Sequence, residues 1–272
     1  YSLPATMLAR STFLWISIGT FAPSATLLLL GTMIPRGYKK NRPKSAVTGD
    51  VNAEANGYPP FLVQFMATYQ HLTVCTHTGL VVYLILSVAC EGDRTCDGDS
   101  WRLQARNLLR AVGFPLTAVV GIGFWTLALA SPTKLLAPPW TMLPREDFPK
   151  DDVLASQLAR RLLWPTWHPL LVVCICFIHL QHTAMPLYPW LEDFLYPEGA
   201  PVFTAATEIC ALLACAFAWI IWAIPVCWLA RGQPPYPVLR AVWHDSSWPR
   251  FYATFFALGL SMVCAGRAYR GR

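Results

Sequence analysis

Charged residues are what this sequence has least of. Only 13% of its 272 residues are Asp, Glu, Lys or Arg, against about 25% in a typical soluble domain. Six long runs contain no charged residue at all, at 11–35, 61–90, 111–133, 162–191, 209–230 and 251–266. This pattern argues against a soluble domain and favours a chain whose long segments lie in lipid.

The sequence also lacks the short motifs that mark metal, nucleotide and common hydrolase sites. Its nine cysteines form no Cys-x-x-Cys pair, and there is no Gly-x-Ser-x-Gly, His-Glu-x-x-His or glycine-rich phosphate loop. His168 and His182, 14 residues apart, have the spacing of two haem ligands on one helix, but no second run carries a matching pair. We therefore predict no cofactor and no metal.

The uncharged runs predict membrane-spanning helices. A span needs about 20 apolar residues, and a helix satisfies its own backbone polar groups in lipid. We predict an all-α, polytopic membrane bundle of six transmembrane helices in a single domain over 1–272. The approximate spans are 11–35, 61–90, 111–133, 162–185, 209–230 and 248–266. Beyond 185 the fourth run has two prolines and two aromatic residues, as is typical of a chain leaving the hydrocarbon.

The charges between the runs bear on orientation and partners. With six spans, the side that carries both termini has 8 Lys or Arg residues and the opposite side has 13, so the positive-inside rule favours both termini outside. Loops at an anionic membrane surface explain the net charge of +6, and we predict membrane lipids but no nucleic acid as partners. The chain begins with Tyr-Ser-Leu-Pro and not with Met, from which we expect either a processed start, as after import into an organelle, or a true start that is missing.

The second run holds the most candidate chemistry. Seven residues that can hydrogen-bond lie within ten positions: Tyr69, Gln70, His71, Thr73, Thr76, His77 and Thr78. Tyr69, Thr73 and His77 recur at i, i+4 and i+8 and so lie near one helix face. A threonine beside a histidine would be an activated nucleophile, since imidazole can take the hydroxyl proton. The alternative is that these side chains join helices by hydrogen bonds, as Thr and His do in membranes.

Three short motifs resemble the androgen-induced gene family of multi-span membrane proteins. Phe114-Pro115 with Phe124-Trp125 is similar to the family's third-helix signature. Gly232-Gln-Pro-Pro-Tyr236-Pro237-Val-Leu239 is similar to its Gly-x-x-x-Tyr-Pro-x-Leu, and Tyr69-Gln-His-Leu72-Thr73 to its aromatic-x-aromatic-Leu-Thr. Some members hydrolyse fatty-acid esters of hydroxy fatty acids. The resemblance, over 61–265, implies Thr73 as the nucleophile and His168 in the fourth span as its partner.

The sequence also departs from the family pattern. Ser131-Pro132-Thr133 stands where the family has Asp-Arg-Glu. With the family's Asn-His-x-x-His-Thr placed at 164–169, only its second histidine, His168, is present. A second register of the second span, over Phe65-Met66-Ala67, would put alanine at the nucleophile position.

Two functions of different classes follow. Because of the departures, we first predict an accessory, mainly structural integral-membrane subunit of a larger complex. Other membrane subunits would be its partners, and the mitochondrial inner membrane is favoured over the endoplasmic reticulum. The alternative is an intramembrane threonine hydrolase of lipid esters, in which Thr73 attacks the carbonyl and His168 is general base and then acid. Cys90 and Cys96 flank a short loop, and the sequence leaves open whether they pair, which would require an oxidising compartment.

Overall fold

The computed structural model describes residues 5–33, 71–92, 100–130, 153, 157, 178–197, 202–230 and 248–270. Within these ranges the chain forms six α-helices and no strand. The helices are α1 (Ala5–Met33), α2 (Leu72–Gly92), α3 (Trp101–Ala130), α4 (Met185–Leu195), α5 (Ala205–Ala230) and α6 (Trp248–Arg270). A π-helical turn, Leu180–Ala184, leads directly into α4.

Four of the described helices are long and apolar enough to cross a membrane. These segments are Leu72–Glu91, Trp101–Ala130, Ala205–Ala223 and Pro249–Arg270. Four stretches of the predicted spans, 34–35, 61–70, 131–133 and 162–177, lie outside the described residues. The predicted fold class, an all-α membrane bundle, is confirmed.

The bundle is organised around α3, which packs against α2, α4, α5 and α6, while α1 packs on α2. Side chains of the first four helices form a shared core: Leu14, Phe21, Leu80, Leu84, Val120, Met185 and Tyr188. In the membrane-length segments of α2 and α3, 50% and 56% of the segment is buried within the structure. The corresponding shares for α5 and α6 are only 11% and 17%. Helices α5 and α6 therefore turn most of their apolar surface outward.

Ion pairs join four helices at one end of the bundle, called here the charged end. Arg10 of α1 lies 3.0 Å from Glu91 of α2 and 3.6 Å from Glu192 of α4. Arg110 of α3 pairs with Asp193 of α4. Because α1 and α3 begin at this end while α2 and α4 finish there, neighbouring helices run antiparallel.

Helix α3 begins at Trp101, well before the span predicted from residue 111. That prediction treated 94–110 as a loop because of its arginines. In the structure, Arg106 Nε donates a hydrogen bond to Ser87 Oγ at 3.2 Å, and Arg110 pairs with α4. Charged residues are tolerated within a membrane helix when neighbouring helices supply partners of this kind.

Helix α4 continues through Pro186 and Pro189, where a chain leaving the hydrocarbon was predicted. In a regular α-helix the ring of Pro186 would clash with the carbonyl four residues earlier, that of His182. The π turn immediately precedes this proline, and its closing bond runs from the Met185 amide to the Leu180 carbonyl. The wider turn accommodates the proline, and it places His182 in an irregular part of the helix.

Candidate active site

Thr73, near the start of α2, lies opposite a histidine of the π turn. Its Oγ1 is 3.5 Å from Nε2 of His182. Thr73 is 8% exposed and His182 is half-buried, so the pair lies largely inside the bundle. A nucleophile and its base lie within hydrogen-bond reach of each other in this way. Without substrate such contacts are often long, and they shorten when substrate binds.

The hydrogen bond made by Nδ1 of His182 determines whether Nε2, the nitrogen that faces Thr73, donates or accepts. Nδ1 lies 2.9 Å from the backbone oxygen of Ile178. Because a carbonyl can only accept hydrogen bonds, Nδ1 carries the proton and Nε2 is left as an acceptor. The lone pair of Nε2 therefore faces the Thr73 hydroxyl, as a general base requires.

The Phe-Trp pair of α3 holds this histidine from the other side. The ring of Phe124 stacks on that of His182, with centroids 3.9 Å apart and an interplanar angle of 24°. Trp125 Nε1 donates a hydrogen bond to Thr183 Oγ1 at 3.1 Å, and His179 Nδ1 lies 3.3 Å from the same oxygen. The motif that suggested the family at sequence level thus packs directly on the π turn.

Helix α3 approaches the π turn most closely at Gly121. A Cβ atom there would lie 2.6 Å from Cγ and 2.8 Å from Cβ of Pro186, and 3.2 Å from the backbone oxygen of His182. The proline ring is stiff and the carbonyl is part of the backbone, so neither moves easily. The close packing of α3 on the turn therefore requires glycine at this position.

Replacing Gly121 with alanine is expected to destabilise the protein by about 1–3 kcal/mol, the usual cost of overpacking. Gly113→Ala is the matched control, because a Cβ at Gly113 of the same helix meets nothing within 4 Å and alanine favours a helix over glycine. Thermal unfolding in mild detergent measures both. Equal unfolding midpoints for the two variants would contradict the close approach at Gly121.

Other polar side chains of α2 are engaged in helix contacts. The Thr76 hydroxyl lies 2.9 Å from the Leu72 carbonyl and 3.0 Å from that of Thr73, so its hydrogen is committed to the backbone. His77, which is fully buried, has Nε2 2.7 Å from Ser24 Oγ of α1. On this helix face, Thr73 thus lies opposite the imidazole of His182, and His77 links two helices.

His168, the partner predicted for Thr73, lies outside the described residues, as do Tyr69 and Gln70. His182 stands next to Thr73 instead. A sequence signal for His182 exists, because 178–183 reads Ile-His-Leu-Gln-His-Thr and matches the family's Asn-His-x-x-His-Thr at every fixed position except the first. Placing the motif at 164–169 keeps one fixed residue only.

Metal-binding chemistry finds no support in the part of the chain that the structure describes. No group of three or more His, Cys, Asp or Glu side chains there could hold a metal ion. Cys90 lies in α2, while Cys96 lies outside the described ranges. Their pairing therefore stays open.

Comparison with known proteins gives a match to one family. A family model described as FAR-17a/AIG1-like protein matches residues 50–270. This range contains Thr73, His182, the Phe-Trp pair of α3 and the Gly-x-x-x-Tyr-Pro-x-Leu segment. No curated protein and no solved structure matches the chain.

Proposed function

Because the chain belongs to the FAR-17a/AIG1-like family, which is the androgen-induced gene family, we propose that it is an intramembrane threonine hydrolase of lipid esters. Thr73 is the nucleophile and His182 is its base. The observation that carries the proposal is the 3.5 Å approach of Thr73 Oγ1 to Nε2 of His182, whose other ring nitrogen faces a backbone carbonyl. In this proposal His182 takes the role that the sequence analysis gave to His168.

The reaction follows from the positions of these two groups. Thr73 Oγ1 forms a bond to the ester carbonyl carbon while its proton passes to Nε2 of His182, and the carbonyl π electrons move onto oxygen. Collapse of this tetrahedral species breaks the bond to the alcohol oxygen, which takes the proton from His182, and leaves acyl-Thr73. A water molecule, deprotonated by His182, then attacks the acyl group, releases the carboxylic acid and restores the hydroxyl.

The surroundings of the pair favour an apolar ester that enters from the lipid. Thr73 and Phe124, which both contact His182, belong to the membrane-length helices α2 and α3, and Phe124 is itself buried. Large apolar side chains on the same two helices are exposed, among them Ile85, Ile122 and Leu129. Acyl chains in the bilayer would meet these outer faces before the ester group reaches Thr73.

Thr73→Val tests the proposal against a matched control, Thr76→Val, on the same helix. Valine keeps the shape of threonine and removes the hydroxyl. We expect Thr73→Val to lower hydrolysis of a lipid ester by at least 10³-fold, as loss of a nucleophile does. Thr76→Val removes a hydroxyl that is bonded only to the backbone, so its rate should stay within a few-fold. Equal rates for both variants and wild type would reject the nucleophile.

The accessory-subunit role is the second candidate, and the outward faces of α5 and α6 favour it. Only 11% and 17% of their membrane-length windows are buried within this chain. Their exposed side chains include Phe217 and Ile221, and either lipid or a partner subunit would cover such surfaces. For this role we propose the mitochondrial inner membrane, with the endoplasmic reticulum as the alternative.

Native electrophoresis of gently solubilised membranes tests the subunit role. A stable complex predicts that all of this 30.4 kDa chain migrates at a much higher mass than the purified protein in the same detergent, and in mitochondrial rather than endoplasmic-reticulum fractions. Migration identical to that of the purified protein would reject the role.

A further inference from the structure

We propose that Gln181 is a further catalytic residue, whose side-chain amide donates a hydrogen bond to the oxyanion formed during ester hydrolysis. This inference rests on the proposed function of Thr73 and His182. It assigns a group for which no sequence motif gave a candidate. Gln181 is buried, its amide nitrogen has no partner among the described residues, and it stands in the π turn beside His182.

The amide of Gln181 is buried without a hydrogen-bond partner. The residue is 6% exposed, and its Nε2 has no hydrogen-bond partner among the described residues. Burying an unpaired donor costs free energy, and such donors are rare in folded proteins. A bound substrate that supplies the acceptor would explain why the Gln181 amide is left unpaired next to His182.

The position of Gln181 suits an acceptor that develops at Thr73. Gln181 directly precedes His182 in the π turn. Met185, four residues further and about one turn away, is fully buried in the core that the first four helices share. Gln181 is itself buried, in a turn that contacts α2, the helix that carries Thr73.

An ester carbonyl attacked by Thr73 provides that acceptor. As the Oγ1–carbon bond forms, the carbonyl oxygen gains a full negative charge, which accepts a hydrogen bond more strongly than the neutral ground-state oxygen. A donor fixed in a water-poor site stabilises this charge without having to reorient first. Gln181 Nε2–H would thus act on the transition state more than on the bound ester.

Gln181→Met is the direct test, because methionine has a similar unbranched shape and no donor. We expect kcat for a lipid ester to fall by 10²–10³-fold, as on loss of one oxyanion donor, with KM within about threefold. Affinity for a trifluoromethyl ketone analogue, which forms a stable oxyanion on the nucleophile, should fall by the same factor as kcat/KM. The unfolding midpoint should stay equal or rise, since an unpaired buried donor is removed.

A purely structural role for Gln181 gives a different pattern. Unchanged kcat and unchanged ketone affinity in folded Gln181→Met, in an enzyme that Thr73→Val inactivates, would overturn this inference and leave the proposed function intact. A wild-type protein with no hydrolysis above that of Thr73→Val would overturn both. If Gln181→Met does not fold, Gln181→Leu is measured in the same three ways and judged by the same outcomes.

Discussion

Replacing His182 with glutamine is expected to lower the turnover of a lipid ester by about 10³-fold, within the 10²–10⁴ range for a positioned general base. Glutamine keeps a polar side chain in the π turn but cannot take the proton of Thr73. The ring that stacks on Phe124 is also lost, so the unfolding midpoint must be compared with that of wild type. Single-turnover measurements report the acylation step directly.

His168→Gln is the control that separates the two candidate bases. His168 was predicted as the partner of Thr73 from a motif placement at 164–169, whereas the contact at 3.5 Å belongs to His182. We expect His168→Gln to retain turnover within a few-fold of wild type. Loss of activity in His168→Gln together with full activity in His182→Gln would restore the sequence-based assignment and contradict the one proposed here.

Replacing Arg10 with methionine is expected to lower the free energy of unfolding by about 3 kcal/mol. Breaking a buried ion pair typically costs about 3–5 kcal/mol, because the remaining charge is left without compensation. Here Glu192, 2% exposed, loses the Arg10 guanidinium at 3.6 Å and keeps the hydrogen bond from Tyr83 at 2.8 Å. The lower value is expected because the Arg10 and Glu91 side chains are 19% and 23% exposed.

Two further variants show whether charge burial is the cause. Arg102→Met removes an exposed arginine of α3 and should change stability by less than about 1 kcal/mol. Adding Glu192→Gln to Arg10→Met should recover part of the loss, since the uncompensated carboxylate is then absent. Denaturant titration in mild detergent measures all of them. A loss in Arg10→Met no larger than in Arg102→Met would contradict a role for this pair in joining α1 to α4.

The uncharged runs predicted an all-α membrane protein because a segment that lies in lipid contains few charged residues. The limits of α3 could not be read in the same way. Arg106 and Arg110 look like loop residues in the sequence, and only the positions of Ser87 and Asp193 on other helices show how a membrane helix holds them. A charged residue therefore marks the end of a membrane span only where no neighbouring helix supplies a partner for its side chain.

The candidate site was predictable in part. The second-span motif singled out Thr73, and the polar character of that helix agreed with it. Which histidine lies beside Thr73 depends on how the chain folds back on itself. With the fourth-span motif placed at 164–169, the sequence predicted His168 for this position. The same motif placed at 178–183 would have pointed to His182, but only the folded chain shows its 3.5 Å contact with Thr73.

The measurement that tests the central claim most directly is peptide mapping of the protein after reaction with a fluorophosphonate probe in mild detergent. The probe phosphonylates an activated hydroxyl and leaves a stable adduct. We predict an adduct on Thr73 in wild type, and none on that residue in folded His182→Gln. An adduct confined to another residue, or no adduct on folded wild-type protein, would contradict a Thr73–His182 active site.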